Sequence, residues 1–298
     1  MAVAWVFPGQ GSQHPGMADG VLACRDARER FSRVSELLGR DLLAICSGEA
    51  ASETSPSDLN DTRNTQPALF TVESLLVDAL LEQGRQPALV AGHSLGELVA
   101  LYAAGVLDLE SSLQLVHRRS ELMAAAGEGG MCAVMGFERE RLEQLVAQQE
   151  DVVIANDNSA AQVVLSGSRA GLEALCEALS PRRNVTLPVS GAFHSPRMAT
   201  PAAALSELLD SLEFRPARFP VISNSDPTPS SDAAVLRERL RQQMCCGVRW
   251  RETMQAMEQA GISTVVEVGP GKVLSGLVKR SMEDVTLSQI SGHSDLGL

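Results

Sequence analysis

An α/β fold with a mostly parallel core sheet is predicted by three features of the sequence. Short apolar runs alternate with amphipathic helical stretches, the pattern changes character between about residues 127 and 193, and a Gly-x-Ser-x-Gly turn joins one apolar run to a helix. Strands that alternate with helices are covered on both faces, so they read as short continuous apolar segments rather than as alternating ones. Ala4–Val6, Leu89–Ala91, Pro220–Ser223 and Thr264–Val268 fit that description and are the candidate core strands. In the middle segment Met131–Met135 reads as strand, Arg139–Gln149 as helix, Val152–Asn156 and Gln162–Ser166 as strands, Ala170–Leu179 as helix and Asn184–Val189 as strand. That order, β-α-β-β-α-β, is the ferredoxin-like unit. The expected organisation is therefore a large α/β subdomain from residues 1–126 and 194–298 with a small inserted subdomain at 127–193. Gly127, Gly129 and Gly130 mark one hinge and Ser190-Gly191 the other. The Ser/Pro-rich stretch Asp226–Asp232 reads as a surface loop.

With 298 residues, 44% hydrophobic and 21% charged, the chain is long enough for one large domain or two unequal ones, and disorder is not indicated. No apolar run approaches the ~18 residues of a membrane span, and the N-terminal stretch lacks the basic start and length of a signal peptide. A cytoplasmic location, or an equivalent reducing compartment, is expected. The six cysteines have no CxxC pairing and no Cys/His metal spacing, so they are read as reduced and no metal site is expected. A formal charge of −12 argues against nucleic acid and anionic membranes as partners.

Gly92-His93-Ser94-Leu95-Gly96 carries the chemistry. It follows the apolar run Pro87–Ala91 and opens the helical stretch Glu97–Ala104, which Gly105 would cap. Such a turn needs glycines on either side of the serine, because a Cβ there would collide as the chain reverses. The helix that begins at the turn also directs free N–H groups and a positive dipole end at any oxyanion formed beside the serine. Ser94 is thus a candidate nucleophile, and a serine needs a general base. Of five histidines, His93 sits in the elbow pointing elsewhere, His293 lies in a polar tail, His117 falls in a helical pattern and His14 in a Gly-rich loop. His194, in the loop that follows the Asn184–Val189 run, is the best base by elimination, since catalytic groups concentrate in loops at strand ends.

Together with these residues, several separated motifs give the chain a resemblance to the malonyl-CoA:acyl carrier protein transacylases over nearly its full length. They are Phe7-Pro8-Gly9-Gln10-Gly11-Ser12-Gln13, Asn64-Thr65-Gln66-Pro67-Ala68, GHSLGE at 92–97, Arg119 with Met123, Asn156-Asp157-Asn158-Ser159, Gly191-Ala192-Phe193-His194-Ser195 and Glu267-Val268-Gly269-Pro270-Gly271-Lys272. The resemblance implies a hydrolase-like α/β core carrying the ferredoxin-like insertion. It implies that Ser94 takes a malonyl group from coenzyme A as an ester, that the phosphopantetheine thiol of acyl carrier protein removes it, and that His194 is base and then acid in each half. Backbone N–H groups of Gln10 and Leu95 would form the oxyanion hole, and a backbone carbonyl at Arg249 would orient the histidine. Arg119 would grip the malonyl carboxylate with its two-pronged guanidinium, a geometry lysine cannot reproduce. Leaving that arginine desolvated and unpaired against an acetyl group is a penalty on the order of 2–5 kcal/mol. Phe193 would crowd an α-methyl branch, and Gln66, Asn156 and Asn158 would complete the polar wall.

An acidic carrier calls for a locally basic docking surface, with Lys272, Lys279, Arg280, Arg182 and Arg183 as candidates. Neither a metal nor an organic cofactor is implied, and a monomer is expected. Two rival readings use the same residues. A serine hydrolase or thioesterase would let water finish the reaction, but such enzymes usually carry an acidic triad member between serine and histidine, with the histidine near the C-terminus. A malonyl-transfer subunit of a malonate decarboxylase or polyketide system would do the same chemistry on another carrier.

Overall fold

Two sheets organise the chain in the computed structural model, which describes residues 2–48, 58–189 and 191–297. Ser190, expected at the second hinge, lies outside the described residues. The first stretch contains β1 (Ala2–Phe7), α1 (Ala27–Leu38), α2 (Leu42–Ser47), α3 (Thr62–Glu82), β2 (Leu89–Gly92), α4 (Gly96–Ala103) and α5 (Leu109–Ala125). The middle contains β3 (Gly130–Met135), α6 (Arg139–Ala147), β4 (Val152–Ser159), β5 (Gln162–Gly167), α7 (Arg169–Leu179) and β6 (Arg183–Thr186). The remainder contains α8 (Ala199–Ser211), β7 (Val221–Ile222), α9 (Ala233–Gln242), α10 (Trp250–Gln259), β8 (Ile262–Val268), α11 (Val273–Ser281) and β9 (Thr286–Ile290).

Strands β7-β2-β1-β8-β9 form a five-stranded sheet in which every pairing is parallel. Its two faces follow from side-chain alternation. Trp5, Phe7 and Val90 face the core built with α1, α3, α4 and α5, whereas Ala4, Val6, Leu89 and Ala91 face Trp250, Met254, Leu274 and Leu277 of α10 and α11. Strands β4-β5-β3-β6 form a separate antiparallel sheet whose chain order is the predicted β-α-β-β-α-β. There Cys132 and Val134 of β3 pack with Leu142 of α6 and Leu172 and Leu175 of α7, while Met131 and Ala133 turn the other way and join the main core. One face of the small sheet is thereby pressed onto the large unit.

The two-residue β7 is shorter than the predicted Pro220–Ser223, and β9 was not foreseen because its pattern is mostly polar and it is an edge strand with only Ile290 fully buried. Strand β6 stops at Thr186, short of Pro188, which has no N–H to give a ladder. Among the described residues no helix is long and apolar enough to cross a membrane.

Candidate active site

Strands β1 and β2 are neighbours, with Phe7 paired to Gly92, so the loops leaving their carboxyl ends run side by side. In parallel α/β sheets that is where ligands bind. The His93 N–H donates to the Phe7 carbonyl at 2.9 Å, one step beyond the ladder. Close approach here depends on glycine. A Cβ on Gly96 would lie 2.0 Å from the Phe7 oxygen, and one on Gly92 would lie 1.9 Å from the Gly96 carbonyl. Between them Ser94 is held at φ +53°, a left-handed conformation that costs about 1–2 kcal/mol in a non-glycine residue. Asn224 clamps the strained turn, accepting from the Ser94 N–H at 2.7 Å and donating to the Gly92 carbonyl at 2.6 Å.

The predicted nucleophile and base meet. Ser94 Oγ lies 2.8 Å from His194 Nε2, although a hundred residues separate them. His194 is itself at φ +55° and is buried. Its Nδ1 faces two carbonyl oxygens, of Gln243 at 3.0 Å and Cys246 at 3.2 Å. Carbonyls only accept, so Nδ1 carries the proton and Nε2 presents a lone pair to the serine. Burial, with the Arg119 cation adding to it, pushes the imidazole down to about 3, so it is neutral at physiological pH.

Orientation of the histidine corrects one expectation. The Arg249 carbonyl is not at His194; it accepts from the Thr253 N–H at 2.9 Å as the first hydrogen bond of α10, and the Arg249 side chain pairs with Glu252. An N-cap carbonyl is used by its own helix, and the turn after α9 presents the Gln243 and Cys246 carbonyls instead.

Arg119, on α5, is fully buried and reaches the same serine. Its Nη1 donates to Gln66 Oε1 at 2.6 Å, and its Nη2 donates to Ser94 Oγ at 3.1 Å and to Gln243 Oε1 at 2.9 Å. Desolvation lowers the guanidinium to about 10, with the Glu97 charge opposing that shift. Gln10, Gln66, Ser94, Leu95, Arg119, Asn156, Phe193 and His194 line one cavity of about 80 Å³. Among the described residues neither the Gln10 nor the Leu95 N–H has a hydrogen-bond partner, and Asn156 Oδ1 is buried without one. Asn158 is not part of that wall. Its Oδ1 is taken by His93 Nε2 at 2.9 Å, which also disposes of His93 as a base. His14 is exposed and bonds the Pro15 carbonyl.

Three contributors escaped sequence reasoning: Gln243, Asn224 and Glu97. Glu97 is legible only as the last letter of GHSLGE, and the other two belong to no local pattern.

A strand-to-helix serine beside a carbonyl-oriented, neutral histidine, under an antiparallel lobe, is an arrangement suited to acyl transfer. The chain belongs to the acyl transferase domain family, whose model matches residues 4–295, and is an acyltransferase. It is 48% identical over 296 residues to the malonyl CoA-acyl carrier protein transacylase of Synechocystis sp., covering 99% of each chain. The crystal structure of the Synechocystis transacylase superposes with a TM-score of 0.94 at 47% identity, covering 100% of this chain and 99% of that one. A malonyl-transacylase solved in complex with a type II PKS acyl-carrier protein gives a TM-score of 0.91 at 34% identity, covering 99% and 98%.

Proposed function

We propose that this enzyme transfers malonyl groups from malonyl-CoA to acyl carrier protein for fatty acid synthesis, through an ester on Ser94. The reading rests on one observation above the others: the hydroxyl that faces the neutral His194 also accepts a hydrogen bond from the buried Arg119. Ser94 Oγ attacks the thioester carbonyl as its proton passes to His194 Nε2. The oxyanion is received by the free N–H groups of Gln10 and Leu95. The C–S bond breaks, and the imidazolium returns its proton to the departing coenzyme A sulfur. The carrier's phosphopantetheine thiol then repeats the sequence in reverse, giving up its proton to His194 and taking the acyl group. Arg119 holds the malonyl carboxylate, Gln66 steadies Arg119, and Asn156 and Phe193 shape the pocket. A cavity of about 80 Å³ suits a three-carbon acyl group rather than a long chain.

A monomer is part of the same proposal, since Ser94, His194 and Arg119 meet within one chain. For the carrier, Arg182, Arg183 and Arg280 fit best, because they line a single groove of about 750 Å³ with Arg251, whereas Lys272 and Lys279 lie outside it. A carrier of the polyketide kind would meet the same chemistry.

Intact mass after incubation with malonyl-CoA, and separately with acetyl-CoA, tests the proposal. Malonyl-selective labelling that is lost in Ser94→Ala and discharged onto added carrier protein is the expected result. Free malonate with nothing on the carrier would mean a hydrolase, and equal labelling by both thioesters would remove the role given to Arg119.

A further inference from the structure

Arg119 is a buried cation with no carboxylate in direct contact. Its three hydrogen bonds go to neutral oxygens of Gln66, Ser94 and Gln243, and two of its five N–H groups, one on Nε and one on Nη1, have no partner. A buried charge ordinarily requires a counter-ion. The acid whose field reaches it is Glu97, on α4, and Gln243 stands between the two. Gln243 Nε2 donates to Glu97 Oε2 at 2.9 Å and to the Ser94 carbonyl at 2.9 Å, while its Oε1 accepts from Arg119 Nη2 at 2.9 Å. Each end of one amide therefore meets the charge it can satisfy, and the flipped amide would set NH₂ against guanidinium and carbonyl against carboxylate.

We infer that Gln243 is a specificity-determining positioning residue: its amide spaces Glu97 away from Arg119, so the guanidinium keeps a counter-ion within its field yet leaves donors open for an anionic acyl group. The inference rests on the reading of Arg119 given above. In direct contact, a carboxylate pairs with guanidinium through two parallel bonds and would fill the edge a substrate needs. Across the amide the attraction falls with distance, and the acceptors touching Arg119 stay neutral oxygens, which hold a guanidinium less strongly than a carboxylate does. A second contact fixes the same carboxylate oxygen of Glu97, while its Oε1 is buried without a partner among the described residues. Its Oε2 also accepts from the Asn224 N–H at 3.1 Å, so the acid is anchored to the residue that clamps the elbow. The main-chain carbonyl of Gln243 holds His194 Nδ1, so one residue sets the direction of both the base and the arginine.

The test is the exchange variant Glu97→Gln/Gln243→Glu, which keeps charge and volume but sets the carboxylate on Arg119. Rates of Ser94 acylation by malonyl-CoA and by acetyl-CoA are measured for wild type and variant, with KM and kcat separated. The malonyl-to-acetyl ratio of kcat/KM is expected to fall at least tenfold, with the malonyl loss carried chiefly by KM. A retained ratio, or an equal fall in kcat for both thioesters with KM unchanged, would overturn the inference and leave Gln243 a purely structural strut. If the exchange variant does not fold, Gln243→Ala supplies the same readout, since removal of the spacer frees Glu97 to close on Arg119. Wild type without malonyl preference would instead sink the reading of Arg119 itself, and the inference with it.

Discussion

Arg119→Met should reduce malonyl transfer heavily and disturb the fold little, because the guanidinium is poorly solvated and incompletely bonded in the free enzyme. Burial lowers its pKa from 12.5 to about 10. Holding that charge in place therefore costs about 3 kcal/mol relative to a neutral group at the same position. Methionine removes the cost and adapts to the vacated volume. Against that, Gln66 Oε1 and Gln243 Oε1 each lose a donor, at about 1–3 kcal/mol apiece. The opposing contributions are similar, so unfolding free energy should stay within about 3 kcal/mol of wild type. Malonyl transfer has no such offset. Loss of a buried charge pair with the substrate carboxylate, 2–5 kcal/mol, corresponds to a fall in kcat/KM of roughly 30-fold to several thousandfold. Acetyl transfer should hold or rise, since the neutral acyl group no longer faces an unpaired cation. Single-turnover acylation of Ser94 followed by intact mass, alongside urea unfolding of both proteins, reads the two quantities. The reasoning fails if malonyl-CoA kcat/KM survives within about threefold, or if the variant loses more than about 4 kcal/mol of stability, a loss large enough to mark a structural role.

Four further outcomes follow from groups in the site and elsewhere in the fold. Because burial and the Arg119 cation hold His194 near 3, Ser94 acylation should show no titration around the ordinary value of 6.5; an acid limb centred there would contradict the site geometry. In the unfolded chain the same imidazole takes up a proton near 6.5 and in the native state it does not, so stability present above that pH is lost as pH falls toward 3. Urea unfolding of wild type between pH 7 and pH 5 should accordingly lose about 2 kcal/mol more than that of His194→Asn. Gly96→Ala, whose Cβ would meet the Phe7 oxygen at 2.0 Å, should lose more than about 4 kcal/mol, whereas Gly84→Ala, with open space and φ +73°, should lose about 1–2 kcal/mol by the same unfolding assay. Glu73 on α3 is fully buried with both carboxylate oxygens unpartnered, and burial, together with the neighbouring Glu267 charge, raises its pKa well above 4.5. Glu73→Met should stabilise by about 1–3 kcal/mol, and the gain should be larger at pH 8 than at pH 4, because only the native state resists giving up that proton as pH rises.

Much of this protein is legible in its sequence because local rules carry it. A strand buried on both faces must be apolar throughout, so β1, β2 and β8 announce themselves, and the β-α-β-β-α-β order of the small sheet follows from period and length. Glycines at 92 and 96 flanking Ser94 record a steric fact about one turn, and that turn singles out the proposed nucleophile. The pairing of Ser94 with His194 was reachable by elimination among five histidines and by the family motif around it. Tertiary structure decided the rest. Gln243 supplies both a carbonyl to His194 and an amide between Glu97 and Arg119, yet every residue has a carbonyl, and which one faces the imidazole depends on how the turn after α9 meets the loop after β6. A misplacement of three to six residues there exchanges Gln243 and Cys246 for Arg249, whose own carbonyl is claimed by α10. Asn158 likewise shares a strand with Asn156, and only the placement of the elbow against β4 gives its amide to His93. Side-chain identity and spacing determine what a segment does locally; the partners of a backbone carbonyl or a buried amide are set by contacts between segments far apart in the chain, where the sequence carries no period to read.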